Sequence, residues 1–364
     1  MRAAFFLAAL CLVLGAAFAQ NARGPEPVNA RAILADAPPA LLSEYRFFID
    51  AAARRPNAGV TPYDLNTALY SDGALKFRYV YIPPGADAAY NAEGVFEFPV
   101  GAVLIKTFAI AADMRMPLEN VRFLETRLLI RRADGWAAYP YVWNEAGTEA
   151  RYSPIGAEIP ARWIDAEGAE IALDWRVPNR NQCKGCHDRS GAIAPIGPSA
   201  RNLNRLYPYT EGPENQLTHW SRRRLLRDAP DAASAERAPD AFDEATGPLD
   251  ARARAYLDVN CAHCHNPEGP AHTSGLDLRA HVREGALWGL FKRPVAAGRA
   301  SAGLEFAIEP GHPERSILLH RMESDDPGVM MPELGRQLVD RRAVALIREW
   351  IAQMDGEGRV PPPH

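Results

Sequence analysis

The chain has 364 residues, which at roughly 150 residues per domain gives room for two or three domains. Its 47% hydrophobic and 24% charged content excludes a largely disordered protein. A net charge of −4 lacks the basic surplus that a nucleic-acid partner calls for, so none is expected.

Residues 1–19 read as a signal peptide. Arg2 is a short positive start, residues 3–15 are apolar, and Ala17-Phe18-Ala19 forms a small-x-small cleavage site before Gln20. The apolar run is shorter than the ~20 residues of a spanning helix. Leu10 precedes Cys11, which argues against a lipoprotein site. The mature chain is therefore expected to be exported and periplasmic. No later window is apolar for long enough to suggest a transmembrane segment.

Residues 20–60 form an N-terminal segment with one short helical pattern, Leu41, Leu42, Tyr45, Phe48 and Ile49. Residues 61–178 read as a β-rich domain. The run 95–110 is rich in Val, Phe and Ile, and 121–132 leads into a turn at Ala133-Asp134-Gly135. A strand from Trp136 to Trp143, a turn at 145–147, another at 167–168 and an alternating run to Trp175 follow. The pattern predicts an antiparallel, sandwich-like or barrel-like domain. Tyr139, Tyr141 and Trp143 share one strand face and read as core rather than as a sugar platform.

Residues 179–248 hold a first CxxCH motif, a helix predicted over 215–227 and a linker over 228–248 rich in Ala, Asp, Glu and Pro. Residues 249–358 read as a self-contained helical domain. It has a helix from Leu249 to Val259, a second CxxCH motif, a Met-Pro loop and a terminal helix from Val339 capped by Asp340. Tyr256 and Leu257 are expected to face the second motif. The fold class expected is thus α+β: an N-terminal antiparallel β-sandwich-like domain, then mainly α-helical domains resembling cytochrome c.

The chemistry lies in the cysteines. With Cys11 in the signal peptide, the others are Cys183, Cys186, Cys261 and Cys264, in CKGCH at 183–187 and CAHCH at 261–265. Two thiols three positions apart, followed at once by His, form the attachment signature of c-type haem. Each thiol suits one porphyrin vinyl group, and His187 or His265 would give its imidazole to iron. A thioredoxin-like pair or a Cys₄ zinc site would not need a His after each pair. The expected cofactors are two covalently attached haem c groups.

For the sixth ligand of the second iron, Met331 is the candidate, because it precedes the last helix in a Gly/Pro-flanked loop. Met330 and Met322 are its rivals. For the first iron, no Met lies between the motifs, and His219 is the one His there. Met114 and Met116 from the β region, another group or an open site are the alternatives. His263 is expected to face solvent. His272, His281, His312, His320 and His364 carry no motif.

From ARAYLDVNCAHCHNP at 253–267, the chain resembles an uncharacterised family of bacterial dihaem c-type cytochromes with an N-terminal β region. FPVGAVLIKTF (98–108), ETRLL (125–129), YVWNEAGTEA (141–150), PIGP (195–198) and RNLN (201–204) also resemble its pattern. The resemblance spans nearly the whole mature chain. It implies haem attachment at Cys183, Cys186, His187, Cys261, Cys264 and His265, and suggests a parallel β-helix protein as partner.

The leading expectation is periplasmic electron transfer between redox partner proteins. The basic cluster Arg222-Arg223-Arg224 with Arg227 reads as a solvated helix face or, more sharply, as a docking patch. A dihaem peroxidase with an open first haem is the enzymatic alternative. A β domain that binds a ligand or partner, with the haems as its electron outlet, is the third.

Overall fold

The computed structural model describes residues 25–361 except positions 53 and 296, so the signal peptide and His364 lie outside the described residues. The fold is mixed α+β, an antiparallel sheet followed by helices.

Helix α1 (Ala30–Leu34) is capped by Asn29, whose Oδ1 accepts from the Ala32 N–H. The helix expected over 41–49 does not form. Leu42–Tyr45 makes a single 3₁₀ turn, Arg46 adopts a left-handed φ of 59°, and Phe48–Asp50 is a short strand. Tyr45 and Phe47 explain the break. Both are buried, and their rings stack at 5.0 Å. A helix would send residues two apart to opposite sides.

The main sheet consists of β1 (Val60–Tyr63), β2 (Leu75–Tyr81), β3 (Val103–Ala111), β4 (Val121–Arg132), β5 (Gly135–Trp143) and β6 (Ala150–Tyr152). It is an antiparallel meander in chain order. The β4–β5 hairpin closes with Arg132 opposite Gly135, at the turn expected from Ala133-Asp134-Gly135. The run 95–110 is not one strand. It turns at Pro99-Val100-Gly101, where Gly101 has φ 87° and an added Cβ would stand 3.0 Å from Pro83.

Alternation along β3 divides the interior. Val103, Ile105 and Ala109 pack with Tyr139, Tyr141 and Trp143 under the N-terminal segment. These aromatics are core residues, and the Tyr141 hydroxyl donates to the Pro39 carbonyl at 2.8 Å. Leu104, Phe108 and Ile110 point to the other face. There the hairpin β7 (Ala157–Ile164) and β8 (Glu170–Val177) lays Trp163 and Trp175 beside Phe108 and Leu124.

Helix α2 (Cys183–His187) follows β8 directly. Next come α3 (Ala200–Leu203) and α4 (Gln216–Arg222). The helix expected to reach 227 stops at Arg222. Arg224 takes φ 57°, and Leu226–Arg227 pairs in parallel with Ala88–Ala89, so Leu225 lies beyond the helix. The segment 228–248 is docked rather than loose. The Asn204 amide donates to the carbonyls of Ala232 and Ala235, the Thr67 hydroxyl donates to Pro239, and Ala238 and Ala241 are buried.

Helices α5 (Leu249–Asn260), α6 (Ile317–Glu323) and α7 (Arg341–Ala352) share the last core, which includes Leu257, Leu319, Ile347 and Trp350. Asp340 caps α7 as expected, its Oδ1 accepting from Ala343 N–H at 3.0 Å. Tyr256 and Leu257 belong to this core, against which Cys261 of the second motif also packs; the Tyr256 hydroxyl donates to Asp340. Among the described residues, no helix is long and apolar enough to cross a membrane.

Trp350 holds these helices together. It is fully buried, stacks on Trp288 at 5.7 Å and donates from Nε1 to Asp250 at 2.9 Å. Trp350→Ala is expected to cost about 3–5 kcal/mol in urea unfolding. A loss below about 1 kcal/mol would show that this core does not depend on it.

Candidate functional site

The fold brings the two CxxCH segments into contact. Cys264 Sγ lies 3.6 Å from the Gly185 carbonyl oxygen. Beside them, Arg189 pairs with Glu268 at 2.7 Å, and the Ser190 N–H donates to the Glu268 carbonyl. Leu334 closes over the first motif, so that a Cβ at Gly185 would stand 2.5 Å from Leu334 Cδ1.

A cavity of about 620 Å³ opens at this junction. Cys183, Cys186, His187, Ala262 and His263 line one side, and Met330 with residues 332–337 lines another. Its floor is the sheet, through Arg78 of β2, Lys106 of β3 and Arg127 of β4. A cavity of this size suits a cofactor or a large ligand.

The two motif imidazoles are held in the same tautomer. His187 Nδ1 lies 2.7 Å from the Ala194 carbonyl, which can only accept, so Nδ1 carries the proton. His265 Nδ1 lies 3.0 Å from Ser274 Oγ. That hydroxyl already donates to the Ala271 carbonyl, so it accepts from His265. In both rings Nε2 keeps its lone pair for a metal. Burial lowers both imidazoles to about 4, which keeps them neutral.

All four cysteines are free thiols. Burial raises each of them, Cys261 and Cys264 to about 12. These are protonated thiols rather than the acidic, nucleophilic kind of a redox CxxC. Among the described residues, no three His, Cys, Asp or Glu side chains converge as a metal-holding group.

His263 does not face solvent as expected. It lines the cavity, its Nδ1 is buried without a partner, and burial lowers it to about 4. His219 lies outside the cavity lining. It is buried, stacks on Tyr209 at 3.6 Å and bonds Glu214 at 2.7 Å through Nδ1. Met330 lines the cavity, while Met331 is half-buried next to it, its N–H donating to the Arg321 carbonyl. The Arg321 guanidinium is the charge that acts on His265. Met322 is in the helical core, Met114 packs beside the β7–β8 hairpin, and Met116 is exposed. The basic cluster is largely self-neutralised, since Arg222 pairs with Glu214, Arg223 with Glu211 and Arg227 with Asp87.

Sequence reasoning missed the charged floor. Its signal was present: Lys106 interrupts the apolar run VLIKTFAI, and Glu125 and Arg127 stand two apart in β4. A charge at an inward strand position marks a site. Glu125 has no exposed side-chain surface. It accepts two hydrogen bonds from Arg127, at 2.8 and 2.6 Å, and one from Trp175 Nε1 at 2.9 Å. No protein-family model matches the chain, and no curated protein or solved structure matches it.

Removing one partner of this pair leaves an uncompensated charge. Glu125→Ala is expected to cost about 3–5 kcal/mol in denaturant unfolding. The double variant Glu125→Leu/Arg127→Met should recover much of that loss. Equal losses in the two proteins would show that the charge is not what matters.

Proposed function

We propose that the chain is an exported dihaem c-type cytochrome that relays electrons between redox partner proteins. What supports this most is the contact between two CxxCH segments, each with its His Nδ1 proton engaged and its Nε2 free. The donor set at the first motif fits, with free thiols and a neutral imidazole lining the cavity, whereas Cys261, Cys264 and His265 of the second motif offer the same groups outside that lining. When bound, each haem supplies reversible one-electron chemistry at iron.

Cys183, Cys186 and His187 would hold the first haem, and Cys261, Cys264 and His265 the second. Helix, motif, Met-Pro loop and terminal helix over 249–358 follow the order of a small cytochrome c. Met331 remains the candidate sixth ligand of the second haem: its N–H bonds the Arg321 carbonyl, and the Arg321 charge acts on His265. For the first haem, His263 replaces His219 as candidate. His263 shares a cavity with His187, whereas His219 is committed to Glu214 and Tyr209. The resembled dihaem family, the periplasm and a β-helix partner protein belong to the same reading.

Intact-mass spectrometry of the purified protein should find two covalent haems, with Gln20 as the N-terminus. Fewer than two haems would overturn the assignment. Met331→Ala should lower the potential of one haem and Met330→Ala should not, because a thioether ligand favours ferrous iron. In ferric EPR, His263→Ala should introduce a high-spin component that His219→Ala does not. The reverse pattern would restore His219 as the ligand.

A further inference from the structure

The floor of the cavity holds more positive charge than its own carboxylates answer. Arg78 is buried and bonds Asp64 through Nη1 at 2.8 Å, while its Nη2 is buried with no partner. The Lys106 side chain lines the same cavity and makes no hydrogen bond or ion pair among the described residues, and burial, with Arg78, Lys76 and Arg127 nearby, holds its amine well below the usual lysine range. Its one specific contact is the Phe108 ring, 4.7 Å from Nζ.

The nearby carboxylates are already engaged. Glu125 serves Arg127 and Trp175. Asp64 is shared between Arg78 and Arg205. Asp72, on the cavity wall, accepts from the N–H groups of Gln337 and Leu338. A guanidinium N–H buried with no acceptor in reach is costly, and a buried amine beside other cations carries its charge only when an anion sits next to it.

We propose that the floor between Arg78 and Lys106 is a binding site for a small oxyanion or carboxylate. The guanidinium offers a directed N–H and the ammonium a compact charge, a pairing suited to carboxylate, nitrite, nitrate or sulfite. Two sources share this chemistry: a carboxylate carried by a bound cofactor, and a free anion. The site stands on the protein's own cations, and only the cofactor arm rests on the haem reading.

The test uses the full-length holoprotein and its Lys106→Met and Lys106→Arg variants. Each is titrated with nitrite and with sulfate, followed by calorimetry and melting temperature, with haem content read by mass. If the source is free anion, wild type binds a probe saturably, Lys106→Met weakens binding about tenfold or more, and Lys106→Arg keeps it. If the source is a cofactor carboxylate, no probe binds, Lys106→Met lowers Tm in protein that carries haem, and Lys106→Arg restores it.

The proposal is overturned if no probe binds and Lys106→Met melts at or above wild type, because a lysine with no anion to serve is better replaced by Met. It is equally overturned if a probe binds Lys106→Met as tightly as wild type. Should Lys106→Met not accumulate, Arg78→Gln is titrated instead; lost affinity supports the site and wild-type affinity overturns it. Missing haem in the mass spectrum counts against the relay reading alone and leaves the free-anion arm standing.

Discussion

The geometry of the cavity hangs on the Glu125 carboxylate, which has no exposed surface. Its two oxygens receive both arms of the Arg127 fork and the indole N–H of Trp175. A buried ion pair is weak evidence for stability, because desolvation offsets most of its attraction. Its consequence here is positional. The two Arg127 bonds stay within β4 and hold the carboxylate in place, the Trp175 bond ties it to β8, and β8 ends at Val177, a few residues before Cys183. Where the first motif stands relative to the sheet is therefore set by a charge that tolerates little movement.

A second tie closes the opposite wall. Asp72, just before β2, accepts at 2.7 Å from the N–H groups of both Gln337 and Leu338. Arg336 binds the carbonyls of Met331, Ser324 and Met322. Together they fix residues 331–338 against the β region, although more than 250 residues separate the two in sequence. The cavity is thus built jointly by the sheet and the C-terminal segment, and neither half of the chain encloses it alone.

Local signals were the legible part of the sequence. The β4–β5 turn, helix α5 and the Asp340 cap each depend on a few neighbouring residues. What failed depended on distant partners. The spacing of Leu41 to Ile49 suggested a helix, but the core required Tyr45 and Phe47 on the same side. Composition made 228–248 a linker, but its backbone carbonyls found Asn204 and Thr67. Spacing inside CAHCH said nothing of which way His263 points; that follows from the other motif lying against it. The CxxCH pairs were legible as chemistry, whereas their contact is a property of the fold alone.

The two motifs meet but rest on different supports, and this asymmetry has an electrostatic consequence. The first motif stands over a sheet face carrying Arg78, Lys106 and Arg127, and the second follows α5 from the helical core. Unanswered cations favour whichever redox state carries more negative charge. Arg78 is paired with Asp64 and Lys106 is held below the usual lysine range, so a redox group at Cys183–His187 would gain potential from Lys106 only while it is protonated, and an anion on the floor would cancel that gain. Linkage makes the effect reciprocal: oxidation on that side would tighten the anion, and reduction would release it. Under the haem reading, the floor would bias the potential of the first site alone, an effect that the CKGCH motif does not carry in its own sequence.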